Sequence, residues 1–393
     1  MAFFGALQSF FRKQVPHALP GEGERPAYRD TLTVIHDLSR LVRNDPEAVD
    51  IYLALGNLFR AQGDIERAVM IREGLITRRN LDPHFKARAY FELGQDYQRA
   101  GVVDRALSAY REAARLGYAE NAVTAQLADL FAYAGDFALA AEEYGKLKHS
   151  LAQAHYLVRY GMELVENGQV SRGEKLFKKA LRIYPGSIEA WNAGIRLALR
   201  AASARKAANL LEKALERVDP KLRFLLIDSL LEALPAGTEP SSQKVGQTTA
   251  GTVSGAPAAS AEGREPSAPF VRDVCAAVIP LLEKQPPNIL LQYYGALLLQ
   301  RAGNTDEVES WLAKALVVQP DFWAARLQSL ALSVQKNDLP PVVGMQVAFL
   351  ADELKYIRRF TCSVCGFREH QVFYRCRRCG SWHSLAFRLS LQR

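Results

Sequence analysis

The sequence predicts an all-α chain, a right-handed solenoid of paired helices that ends in a small four-cysteine module. Three observations predict it. A set of large, Leu, Gly and aromatic residues recurs about every 34 residues along most of the chain. One stretch, 236–268, breaks that recurrence with almost no large apolar residue. Two C-x-x-C-G motifs stand close together near the C-terminus.

In chain order the first element is Met1 to Phe11, MAFFGALQSFF, followed by Arg12 and Lys13. A membrane-spanning helix needs roughly 20 apolar residues, and a signal peptide carries its basic residues before the apolar run. Residues 1–27 therefore read as a packed N-terminal helix or as a short membrane-interface helix, with phenylalanines facing lipid and Arg12 and Lys13 near headgroups. No other run in the chain is long and apolar enough to span a bilayer.

The array of helix pairs is expected over 28–235, with residues 28–46 as a partial first unit. Its clearest copy is Tyr90, Leu93, Gly94 and Tyr97, then Gly101, then Ala106, Tyr110 and Ala113. Gly94 and Ala106 suit a close approach of two helices, Tyr97 and Tyr110 fill the space between them, and Gly101 permits a short turn. An earlier copy runs Tyr52, Leu55, Gly56, Phe59, Gly63, Ala68 and Leu75. Later copies are Leu127, Ala128, Phe131, Gly135, Ala140, Tyr144 and Leu147, then Tyr160, Gly161, Gly168, Gly173, Phe177 and Ala180. A weaker copy uses Trp191, Ala207, Leu211 and Ala214, its turn glycine replaced around Ala202. These offsets match the tetratricopeptide pattern. Each pair has an apolar face that only a neighbouring pair can bury, and stacking leaves a concave groove. Asn57, Arg60, Gln95, Gln98 and Asn192, polar residues of first helices, are the groove candidates.

Residues 236–268 are rich in Gly, Ser, Thr, Ala and Pro and read as a disordered linker. A second block of helical repeats is expected over 269–354. It contains the copy Tyr294, Gly295, Gly303, Leu312 and Ala315, and a last helix, Val342 to Leu354, after Pro340 and Pro341.

Residues 355–393 carry the sharpest chemistry. Cys362, Cys365 and Gly366 form one knuckle; ten residues later Cys376, Cys379 and Gly380 form another. Two intervening residues let both sulfurs of a knuckle face one ion, and the glycine relieves crowding as the chain turns back. Four thiolates suit one zinc ion, or one iron ion of rubredoxin type, and a closed four-sulfur site leaves no open position for substrate. A hairpin through Phe367 to Tyr374 is expected to join the knuckles. Trp382 and Phe387 are expected to pack the module, His370 and His383 to be surface or packing residues, and Cys275 to be a core thiol. An odd count of five cysteines, four of them clustered, argues against a secreted disulfide framework.

The net charge is +8, and 355–393 alone holds nine Lys or Arg against the single acid Glu369. The rest of the chain is therefore near neutral. Arg375, Arg377 and Arg378 around the second knuckle suit a solvated basic face, or contact with an acidic protein, anionic lipid or nucleic acid. No nucleophile elbow, phosphate-binding loop or histidine pair on one helix face is present, so the chain reads as non-enzymatic.

A tetratricopeptide array followed by twin C-x-x-C-G knuckles resembles the lipopolysaccharide assembly protein B family. The resemblance is carried by Leu55-Gly56-Asn57-Leu58-Phe59-Arg60, by Leu93-Gly94-Gln95-Asp96-Tyr97, and by Phe360 to Phe367 with Tyr374 to Trp382. It implies a non-enzymatic adaptor on the cytoplasmic face of the inner membrane, peripheral here because Met1 to Phe11 is shorter than the family's transmembrane helix. It also implies a metal module packed against the repeats, and a link between the lipid A deacetylase, a membrane-bound ATP-dependent protease and lipopolysaccharide transport components. Two other readings are a tetratricopeptide scaffold with a nucleic-acid-binding zinc ribbon, and a redox protein using iron.

Overall fold

The computed structural model describes residues 48–234, 268–336, 341–355 and 359–390, with single positions at 34, 35, 37, 38, 40 and 357. The expectations for residues 1–27 and for the linker up to 267 lie outside the described residues; Ala268 already opens a helix. The chain divides into two compact units, 1–135 and 136–393.

In the first unit, α1 (Val49–Gln62), α2 (Ile65–Ile76), α3 (Pro83–Arg99), α4 (Val103–Arg115) and α5 (Glu120–Ala134) follow one another. Local chemistry sets the ends. The Asp64 carboxylate accepts the Arg67 N–H at 3.2 Å and caps α2. Asp82 accepts the His84 N–H at 2.8 Å, with Pro83 at the first helical position of α3. Gly63 ends α1 in the left-handed region at φ 87°, and the next N–H, of Asp64, returns to the Phe59 carbonyl at 2.9 Å. Within the pair α3/α4, a Cβ on Gly94 would lie 2.6 Å from the Tyr110 ring, so the glycine is what lets the ring seat against the first helix. Around Tyr110 pack Phe91, Leu93, Tyr97, Ala106 and Ala113.

The pair α1/α2 fills the same position differently. Opposite Gly56 stands the guanidinium of Arg72, a fully buried arginine. It bonds Asp96, the Glu92 carboxylate at 3.1 Å and Asn57 Oδ1 at 2.6 Å. Arg60 bonds the same Asp96 at 3.1 Å and Asn57 Oδ1 at 2.7 Å. Buried charges persist when paired and hydrogen-bonded, as both terminal guanidinium nitrogens of Arg72 are, although its buried Nε has no hydrogen-bond partner.

The second unit runs α6 (Phe137–Lys146), α7 (Ser150–Glu166), α8 (Val170–Ile183), α9 (Ile188–Arg200), α10 (Ala204–Arg217), α11 (Phe224–Ala233), α12 (Ala268–Glu283), α13 (Ile289–Ala302), α14 (Thr305–Val318), α15 (Trp323–Lys336) and α16 (Pro341–Lys355). The close approach recurs: a Cβ on Gly161 would lie 2.6 Å from Phe177, and one on Gly295 2.5 Å from Trp311. Ala202 does take the turn position of its copy, at φ 52° without a glycine. Packing continues across the 235–267 stretch. α11 lies against α9 and α13, and α12 lies against α10 and α13. One hydrophobic core therefore runs from Ile188 through Leu226, Val274 and Tyr294 to Leu332, with Cys275 buried in it as expected.

After α16 come three short strands, β1 (Phe360–Cys362), β2 (Arg368–Glu369) and β3 (Leu385–Phe387), in the antiparallel order β2-β1-β3. The described chain is thus an all-α tetratricopeptide-type repeat with a small C-terminal four-cysteine module. No helix among the described residues is long and apolar enough to cross a membrane.

Candidate metal centre and its seat on the repeats

The four cysteines meet. Their sulfurs all lie within 4.8 Å of one another, the one such group among the described residues. Cys362 Sγ is 3.7 Å from Cys379 Sγ, and Cys365 Sγ is 3.6 Å from Cys376 Sγ. A tetrahedron with metal–sulfur bonds of about 2.3 Å has edges of about 3.8 Å, so the quartet fits one tetrahedral ion. Each knuckle is itself a turn. Gly366 and Gly380, at φ 71° and 72°, return their N–H groups to the carbonyls of Cys362 and Cys376, each at 2.9 Å. The single hairpin expected through Phe367 to Tyr374 is therefore replaced by two. One is closed by the pairing of β1 with β2 around the first knuckle, the other by the Arg375–Trp382 bridge around the second.

The surroundings favour thiolates unevenly. Ser384 Oγ lies 3.2 Å from Cys362 Sγ, and Ser381 Oγ lies 3.2 Å from Cys379 Sγ. The Ser381 hydroxyl and then its N–H pull the Cys379 thiol down to about 6. At Cys365 the N–H of Phe367 favours the thiolate, but burial and the neighbouring sulfurs outweigh it and push that thiol up to about 12. Four thiolates this close repel one another, and a bound cation removes that conflict. The cluster can thus coordinate a metal ion of the zinc or iron class. Around it, Arg375 lies over the Trp382 ring at 5.4 Å, Arg377 is 3.9 Å from Glu369, and Arg378 is exposed.

The module does not close on itself. Phe387 packs edge-on against Phe360 within the module, at 5.8 Å between ring centres, and also against Phe322 at 5.8 Å and Phe224 at 6.1 Å. The Trp323 indole N–H donates to the Arg388 carbonyl at 2.8 Å. Trp382, with the module's Arg375 over its ring, also lies 5.0 Å from His155 and 6.1 Å from Tyr156. Phe360, Cys362, Phe373, Cys376, Leu385 and Phe387 belong to the core of the repeats. Phe387 packs the module as expected, through Phe360, and both it and Trp382 reach beyond it onto the repeats, because so small a unit has too little interior to enclose them.

Glu189, at the start of α9, is the polar centre of this seat. His155 Nδ1 lies 2.9 Å from it and His383 Nε2 3.3 Å, so one carboxylate joins α7, α9 and the module. Burial opposes ionisation of Glu189, but hydrogen bonds from His155 and then His383 outweigh it and hold the carboxyl at about 2. His383 is a packing residue with a charged partner, whereas Glu189 carries no signal in the sequence. The groove candidates fare differently. Asn57 and Arg60 are engaged in the Arg72 network, Gln98 accepts the Tyr110 hydroxyl at 2.8 Å, Gln95 is half-buried, and Asn192 is buried.

A tetratricopeptide repeat family model matches residues 35–71. Among curated proteins the chain is similar to lipopolysaccharide assembly protein B of Escherichia coli strain K12, with 28% identity over 145 residues, 35% of this chain and 37% of that one. It is also similar to lipopolysaccharide assembly protein B of Haemophilus influenzae, with 28% identity over 172 residues, 42% of this chain and 43% of that one. The matched part spans about two fifths of these relatives. Among solved structures, YrrB, a tetratricopeptide protein with an unusual peptide-binding site, aligns at TM-score 0.33 and 19% identity, over 46% of this chain and 92% of that one. A tetratricopeptide repeat protein from Parabacteroides merdae aligns at TM-score 0.33 and 13% identity, over 72% of this chain and 97% of that one. Tetratricopeptide repeats are typically non-catalytic scaffolds, and this chain has that fold.

Proposed function

We propose that this chain is a non-enzymatic adaptor in lipopolysaccharide assembly, peripheral on the cytoplasmic face of the inner membrane. It binds proteins through its repeats and holds one zinc or iron ion on Cys362, Cys365, Cys376 and Cys379. One combination carries the reading: a four-sulfur cluster that fits a tetrahedral ion and shares its core with tetratricopeptide helices, in a chain similar to lipopolysaccharide assembly protein B. A closed four-sulfur site suits structure rather than turnover, because no ligand position remains for water or substrate. Repeats suit presentation of one protein to another, and the finer form of the proposal is that the lipid A deacetylase is presented to a membrane-bound ATP-dependent protease.

The test is affinity purification of the tagged chain from its own membranes, with mass spectrometry of the partners and metal analysis of the same sample. Recovery of the deacetylase and the protease, with about one metal ion per chain, is the expected result. Recovery of nucleic acid and its proteins, lost at high salt, would replace the proposal with the zinc-ribbon reading.

A further inference from the structure

Among the described residues α16 is the last helix of the second unit's stack. One side of it packs on α15. Val347 is buried, and a Cβ on Gly344 would lie 3.8 Å from Val334. The other side is apolar and open. Val342, Met345 and Phe349 are 65%, 70% and 60% exposed. Val343 and Leu350 are exposed on the same helix, and so is Leu330 of α15, one turn before Val334. A soluble solenoid ends on a polar outer face, because nothing further stacks upon it. This stack ends on a face of the kind that its inner helices bury.

Charge, spacing and area select what covers it. From Pro341 to Ala351 no residue is charged, and the first charges beyond are the acids Asp352 and Glu353. A helix that lies on anionic lipid carries Lys and Arg along its polar face, and this one has none before Lys355. Positions 342, 345, 346 and 349 form one stripe along a helix. The stripe is symmetric, since Val342 and Phe349 stand equally far from its midpoint between Met345 and Gln346. A second copy laid antiparallel about a twofold axis through that midpoint sets Val342 against Phe349 at both ends. That is the self-complementary contact of a closed dimer. Side chains of roughly 150–200 Å² at these exposures leave about 500 Å² open on each copy, so a pair covers about 1,000 Å², where specific interfaces begin.

We infer that the open face of α16 is a dimerisation surface, covered by the same face of a second copy of this chain in antiparallel register. The inference goes beyond the adaptor reading and does not depend on it. A dimer carries two sets of repeats, so a partner with two binding segments is held by both at once.

The experiment is sedimentation equilibrium of the full metal-loaded chain from about 1 to 100 μM, the range in which an interface of minimal size dissociates. The mass should rise from that of one chain to that of two. Met345→Glu, at an exposed position where folding is not at stake, should stay at one chain throughout with an unchanged thermal melt. Val342→Glu and Phe349→Lys should each be monomeric alone, and an equal mixture of the two should recover the dimer, because antiparallel packing sets one beside the other. A natural chain that is monomeric throughout, a dimer that survives Met345→Glu, or a mixture that does not associate would overturn the inference. So would a monomer that sediments with phosphatidylglycerol vesicles and loses them on Met345→Glu, which would assign the face to lipid.

Discussion

Glu189 is buried, charged and shared by two histidines, and its position at the seat of the module makes its ionisation a term in stability. Its carboxyl is held at about 2 against an ordinary value of 4.5. A depressed folded value means stability that is fully present above about 4.5 and lost as pH falls towards 2. The shift corresponds to at most about 3 kcal/mol. We expect Glu189→Gln to be less stable than the natural chain at pH 7 by up to that amount, and the gap to close between pH 4.5 and 2. Urea denaturation of both chains at matched pH measures it, and metal loss in acid affects both alike; a gap independent of pH would refute the assignment. The cysteine quartet was legible because ligand spacing is local in sequence. Glu189 was not, because its partners His155 and His383 come from distant parts of the chain and a lone acid at a helix start reads as a dipole complement. Arg72 was hidden for a related reason: the repeat offset gives an aromatic there, and only the fold shows Asp96, Glu92 and Asn57 converging on a cation.

At the scale of helices, the repeat pattern states which pairs touch closely, and two glycines separate contact from propensity. Gly94 faces the Tyr110 ring at 2.6 Å from where a Cβ would stand, while Gly74 in α2 faces nothing within 4 Å. Gly94→Ala should therefore force α3 and α4 apart and cost about 1–3 kcal/mol. Gly74→Ala should raise stability by about 0.5–1 kcal/mol, since alanine loses less backbone entropy in a helix. Chemical denaturation of the two variants decides it, and a destabilised Gly74→Ala or a neutral Gly94→Ala would show that the close approach is not what fixes glycine in the pattern. The helices themselves were legible for the same reason, since the 34-residue offsets are set by these approaches. What the pattern did not disclose is that α11 and α12, on either side of the 235–267 stretch, take adjoining places in one stack. A polar insertion breaks the offset count without breaking the packing of α11 on α9 and α12 on α10.

Over the whole molecule the consequential fact is that the cysteine module and the repeats share one core in the second unit, while the first unit has cores of its own. A unit as small as 355–393, taken by itself, would unfold on its own when metal is lost. The packing of Phe387 on Phe224 and Phe322, and the Trp323 bond to Arg388, argue instead that losing the module exposes apolar surface on α11 and the 322–323 turn. Cys376→Ser should then do more than release metal. Amide hydrogen exchange should rise in α9, α11, α13 and α15 as well as in 360–387, and stay unchanged in α1 to α4, whose protection reports a different cooperative unit. A strong chelator added to the natural chain should give the same map, because binding free energy at such a site is folding free energy for whatever packs upon it. If exchange rises in 360–387 alone, the module is a passenger on the repeats and its metal serves only its own fold. If it rises in the helices too, the cysteines act on the partner-binding face through the core, and breaking them would disable an adaptor whose repeats are otherwise intact.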